Sequence, residues 1–145
     1  MNSLTNASLV RDTNYDDEAK TTIYVVIRTD IRIEQQVVQA IHAGAEAGRS
    51  FYQPEHGIAS LVLLAVPNLE GLLALRAKLG LKNVRTELFY EPDFNMGHSA
   101  LATEPLGQGR RKYLRGLPLW KLESALAAFE ASQREKSLAV AEVCA

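Results

Sequence analysis

The sequence predicts a compact single-domain α/β fold, a small mixed sheet of about four strands with helices on its faces. Short β-branched runs alternate with segments of helical periodicity, which favours parallel strands joined by right-handed crossovers. The last two strand candidates follow one another with no helix between them, so they form an antiparallel edge. With 145 residues, 47% of them hydrophobic and 23% charged, the chain can bury one core without a disulfide or metal staple.

Residues 1–20 mix Asn, Ser, Thr and Asp without periodicity and read as a flexible leader. The first strand is expected at 21–28, where β-branched and aromatic residues run without polar alternation, as in a strand covered on both faces. From Ile33 the spacing changes. Ile33, Val37, Ile41 and Ala45 recur every four residues, with Val38 alongside, which marks a helix to about Gly48. A second strand is expected at 58–66. Leu69, Leu72, Leu73, Leu75, Ala77 and Leu79 then describe a second helix, with Asn68 as its N-cap and Gly80 as its stop. Strands follow at 84–90 and 99–103, separated by a loop that Pro92 and Gly97 punctuate. A basic connection at 107–116 leads into a third helix through Leu122, Leu126 and Phe129. The folded domain is thus expected at 21–135, with a tail at 136–145.

Composition excludes several classes of function. Cys144 is the single cysteine, which excludes an internal disulfide and any multi-cysteine zinc site. His42, His56 and His98 are scattered and there is no His-Glu-x-x-His, so neither a metal nor another cofactor is expected. No phosphate-binding glycine motif follows the first strand, which argues against nucleotide switches and dinucleotide oxidoreductases. The longest apolar run is far short of the ~20 residues that cross a bilayer. The first residues lack the pattern of a signal peptide, so a cytoplasmic protein without a membrane partner is expected. Net charge is −1, unevenly spread. Residues 1–20 and 122–145 each carry two basic and four acidic groups, whereas 21–121 carry twelve basic and nine acidic. Arg110, Arg111, Lys112 and Arg115 concentrate part of that excess, either as a phosphate-binding cluster or as a solvated loop.

Two local patterns hold candidate chemistry. Gln35, Gln39 and His42 are spaced four and three apart, so they project from one side of the first helix, just beyond a strand end. Gln36 lies off this line and is expected to face solvent. The alternative is a solvated stripe in which His42 bonds a neighbour. The second pattern is Glu91-Pro92-Asp93, with His98 and Ser99 close behind. Two carboxylates so near one another repel unless water, a cation or a donor offsets the charge, and such a pair can orient or deprotonate a water. An ordinary acidic turn is the plainer reading.

These residues resemble the archaeal/eukaryotic-type peptidyl-tRNA hydrolase family over about residues 21–105. Arg28-Thr29-Asp30-Ile31 is similar to that family's first strand end, and Gln39-x-x-His42-Ala43 reproduces its helix motif. Glu91-Pro92-Asp93, followed through Gly97 by Ser99-Ala100, resembles its acidic loop and threonine strand, and Val66-Pro67 fits its turn before the second helix. The chain departs from the family at Gln35, where the family has lysine, and in a loop about two residues shorter through Arg32-Ile33-Glu34. A neutral amide attracts phosphate less than an ammonium does. The segment after Pro105 extends beyond the family's end.

The resemblance implies a compact α/β fold, a homodimer and hydrolysis of the ester that links a peptidyl or N-blocked aminoacyl group to tRNA. Asp93 then orients or deprotonates water, with Glu91 as its competitor. Ser99 and Gln39 donate hydrogen bonds, and His42 positions substrate or exchanges a proton, its ordinary pKa of ~6.5 allowing both. Gln35, Arg32, Glu91 and His98 are substrate-binding candidates, and Arg110, Arg111 and Lys112 candidate contacts for the tRNA backbone. Two rivals stand beside this reading. The first is a non-catalytic tRNA- or protein-binding module on the same fold, supported by Gln35. The second is a hydrolase or transferase acting on another small acyl substrate.

Overall fold

The computed structural model describes residues 20–144 apart from 53, 55, 56 and 58, so the leader at 1–19, His56 and the expected strand start at Ile58 lie outside the described residues. The order of elements is β1 (Thr22–Arg28), α1 (Ile33–Ser50), β2 (Ser60–Val66), α2 (Leu69–Gly80), β3 (Thr86–Glu91), β4 (Gly97–Thr103) and α3 (Leu122–Val143). Strand order across the sheet is β2-β1-β4-β3. β1 and β2 are parallel through the α1 crossover, while β1–β4 and β3–β4 are antiparallel. The expected mixed α/β sheet is therefore present, with its antiparallel pair at one edge. At the other edge, residues 118–120 pair with β2 through Ala65 N–H to the Pro118 carbonyl and Trp120 N–H to the Leu63 carbonyl, both close to 3 Å. That pairing removes an open strand edge.

Central burial explains the unalternated β1 sequence. Val26 faces a leucine-rich layer with Leu72, Leu75 and Leu79 of α2 and Leu101 of β4. Its neighbours Val25 and Ile27 face the other way, against Ala43 and Ala47 of α1 and Ala100 and Ala102 of β4. Asn68 caps α2 by accepting the Gly71 amide at 3.0 Å, as its sequence position predicts.

α1 forms where expected but buries the opposite face. Val37, Val38 and Ile41 are 44, 43 and 66% exposed, whereas Gln36, Gln39, Ala43 and Ala47 are buried. Small side chains on both surfaces bring the helix close to the sheet, and the two glutamines find hydrogen-bond partners there that offset their desolvation. The expectation that Gln36 faces solvent is thereby corrected. It is 1% exposed and donates to the carbonyls of Thr29 and Ile31 at 3.2 and 2.8 Å. α3 continues through 136–143, the stretch set apart in sequence as a tail, and every residue from Gln133 to Cys144 is exposed.

Candidate functional site

The carboxyl end of β1 carries Arg28-Thr29-Asp30, and this motif acts first as scaffolding. Arg28 grips Asp30 with two parallel bonds, Nε to Oδ1 at 2.6 Å and Nη2 to Oδ2 at 2.7 Å. Its Nη1 also donates to the His98 carbonyl at 3.2 Å and more loosely to that of Met96. The start of β4 is thus clamped to the end of β1. Thr29 donates through N–H and Oγ1 to the Val66 carbonyl, tying in the end of β2.

Within this frame Gln39 joins the two patterns picked out in sequence. Its Oε1 accepts the Ser99 hydroxyl at 3.1 Å, and its Nε2 donates to Glu91 Oε2 at 3.0 Å. A carboxylate only accepts, which orients the amide with nitrogen toward Glu91 and oxygen toward Ser99. Nε2 also makes a longer contact of 3.4 Å with Gln35 Oε1. Glu91 Oε1 in turn accepts the backbone N–H of Asp93 at 3.1 Å. Hydrogen bonding from Gln39 is the main cause of a Glu91 pKa below the ordinary carboxylate range, followed by the Asp93 amide and, against a small opposing effect of burial, the charge of nearby His42.

Ser99 reaches α1 because β4 is irregular there. Phe89 pairs with Ala100 but Tyr90 pairs with His98, so β4 has one extra residue, Ser99, opposite the junction. Strict alternation would have grouped Ser99 with Leu101, on the α2 side. The bulge turns it toward Gln39 instead. Both residues are wholly buried, so they reach a bound molecule only through Glu91 and Gln35.

The other candidates take separate positions. His42 is exposed and stacks flat on Phe89, 4.8 Å between centroids and 4° between planes. Asp93 is exposed in the loop after β3, with its amide engaged by Glu91. His98 meets Tyr90 edge-on at 5.0 Å, and its buried Nδ1 has no hydrogen-bond partner among the described residues. Arg32 is exposed and pairs with Glu34 at 3.3 Å. The basic cluster lies at the far end of the sheet. Arg111 donates to the carbonyl of Lys20, just before β1, and Arg110 bonds Glu104, just after β4. β1 spans about 20 Å between that end and Arg28. Arg110 is therefore a brace for Glu104, and the cluster does not join Gln39, Glu91 and Ser99.

A cleft of about 530 Å³ opens beside the Asp93 loop, with Arg28, Asp30, Arg32 and Gln35 along one wall. Phe94 and Asn95 form part of its rim and both have positive φ, 57° and 53°. Left-handed backbone costs a bulky residue such as Phe94 about 1 kcal/mol or more, whereas Asn95 adopts it more readily. Sequence reasoning missed Phe94, Gln36 and Trp120. The available signals were an aromatic in a Pro- and Gly-bounded turn and a lone Trp with a donor to satisfy. Among the described residues no group of three or more His, Cys, Asp or Glu is placed to hold a metal ion. No helix among them is long and apolar enough to cross a membrane.

No family model and no curated protein matches the chain. Among solved structures it is similar to a protein of unknown function from Agrobacterium tumefaciens strain C58, at 16% identity and a TM-score of 0.55. That match covers 70% of this chain and 98% of the other, and it shows a shared fold.

Proposed function

We propose that the chain hydrolyses the ester linking a peptidyl or N-blocked aminoacyl group to tRNA. The observation that carries the reading is the bond from Gln39 to Glu91, which joins the helix motif and the acidic loop of the family resemblance. It gives the two carboxylates different tasks. Glu91 is held ionised and occupied by Gln39 and by the Asp93 amide, so it fixes the loop. The exposed Asp93 carboxylate accepts the proton of an attacking water as the hydroxide adds to the ester carbonyl carbon. Gln35 turns its oxygen toward Gln39, leaving its own NH₂ to donate to the developing oxyanion in place of a lysine. Collapse of the tetrahedral adduct breaks the acyl–oxygen bond, and the departing ribose oxygen takes a proton from His42 or from water. The resemblance also supports a homodimer, for which Val37, Val38 and Ile41 provide an exposed apolar face on α1.

The test is release of tRNA from N-acetylaminoacyl-tRNA by the purified chain beside Asp93→Ala. Loss of a general base is expected to slow the reaction by about 10²- to 10⁴-fold. Equal rates for the two proteins would remove Asp93 from the mechanism. The second reading, a tRNA-binding module without catalysis, draws on the complete burial of Ser99 and the neutral Gln35. Saturable tRNA binding with no release by either protein would favour it.

A further inference from the structure

We propose that the cleft beside the Asp93 loop binds one nucleotide of a single-stranded nucleic-acid end, its base against Phe94 and Phe129 and its phosphate on Lys136. This rests on the ester-hydrolase reading for its biological ligand, but the site itself is argued from the side chains of the cleft.

Phe129, Gln133 and Lys136 are spaced four and three apart on α3, so one helix face presents all three, and all three line the cleft. The part of α3 after Ser132 has no buried residue, so packing does not account for the position of Lys136. Phe94 also lines the cleft, 81% exposed, on left-handed backbone. An exposed aromatic held at a conformational cost is the opposite of what core packing demands, and such strain gathers at ligand clamps. Bases stack on aromatic rings with little regard to sequence, and amides such as Gln35, Asn95 and Gln133 can bond base edges or ribose hydroxyls.

Charge selects the phosphate contact. Among the described residues, five acidic or basic side chains line the cleft. Arg28 is taken by Asp30 in a largely buried pair, and Arg32 is paired with Glu34. Among the described residues Lys136 has no salt-bridge partner, which leaves it as the cation free to meet a phosphate. α3 lies in the extension beyond the family resemblance, so the chain brings from its C-terminal helix a positive charge that Gln35 does not supply.

The experiment is calorimetric titration of the full chain with adenosine 5′-monophosphate, adenosine and inorganic phosphate, repeated on Lys136→Gln and Phe94→Asn. Asparagine tolerates left-handed backbone, so the second variant removes the ring while keeping the turn. Wild type is expected to bind the nucleotide several-fold more tightly than adenosine or phosphate. Lys136→Gln should reduce nucleotide affinity to that of adenosine, and Phe94→Asn should weaken nucleotide and nucleoside alike by about tenfold. Circular dichroism on both variants checks that they fold. No saturable nucleotide binding, binding unaffected by either change, or phosphate binding as tightly as the nucleotide would overturn the proposal. Nucleotide binding that depends on Phe94 and Lys136 in a chain without esterase activity would uphold this site and overturn the hydrolase reading. Ester hydrolysis by wild type that neither variant alters would do the reverse.

Discussion

Ser99 donates its hydroxyl to Gln39 Oε1 at 3.1 Å across 60 positions of sequence, joining a strand bulge to the inner face of a helix. Neither side chain has solvent to fall back on, since both are fully buried. Ser99→Ala leaves the Gln39 carbonyl oxygen without its donor, and an unmet buried acceptor costs about 1–3 kcal/mol. Urea unfolding should show that loss with an unchanged denaturant slope. Gln39→Glu should cost more, because it sets one carboxylate 3 Å from another at Glu91. If both variants unfold at the wild-type midpoint, the pair does not hold the site together.

The fate of these residues shows what a sequence reveals and what it hides. Helix, strand and cap positions were legible where local chemistry decides them, as with the β-branched run of β1 and Asn68 before α2. The buried side of α1 was not. Hydrophobic periodicity points to Val37 and Ile41, yet Ala43 and Ala47 lie against Ala100 and Ala102, which only tertiary packing specifies. The spacing of Gln35, Gln39 and His42 correctly marked one helical side, but not that Gln39 would be sealed beneath it. Ser99 was a candidate from sequence, but a register shift hid the side to which it turns, and Lys136 was hidden by its distance from the motifs.

Exposure of Val37, Val38 and Ile41 makes a prediction about assembly. If the α1 face pairs with a second copy, Ile41→Glu puts a charge into an apolar contact and should shift the protein from dimer to monomer in sedimentation velocity. The side chain is 66% exposed in the single chain, so the folded monomer should tolerate the change within about 0.5 kcal/mol. A wild-type monomer at high concentration, or a dimer that survives Ile41→Glu, would place the interface elsewhere or remove it.

Acid stability should depend on Glu104. Its burial pushes the pKa up, but the backbone N–H and side chain of Arg85 and the charges of Arg110 and Arg85 together outweigh that and leave it below its ordinary value. The folded state therefore holds this proton less tightly than the unfolded state. Its contribution is fully present above the unfolded pKa and is lost as pH falls through the folded one. The urea midpoint should fall across the acid range below about pH 4.3. Glu104→Gln should lower the midpoint at neutral pH and flatten that dependence. A slope identical to wild type would show that other carboxylates govern the acid limb.

The sole tryptophan gives a direct probe of how α1 is seated. Trp120 Nε1 donates to Gln36 Oε1 at 2.8 Å, while Gln36 Nε2 holds the carbonyls of Thr29 and Ile31. One buried amide thus ties together the β1–α1 turn, the first turns of the helix and the segment that covers β2. Trp120→Phe keeps an aromatic ring but removes the donor, leaving Gln36 Oε1 unmet at about 1–3 kcal/mol, in addition to lost packing. Gln36→Leu exposes the same fault from the other side, since the indole N–H and two carbonyls then lose their partner. If the contact is the coupling, the double variant should be less destabilised than the sum of the two single ones, because each change already removes the same bond. The indole fluorescence of Gln36→Leu should also shift relative to wild type in the folded state, as its N–H loses a fixed acceptor. Additive losses with an unshifted spectrum would mean that Trp120 contributes by packing alone and that Gln36 holds the turn without it.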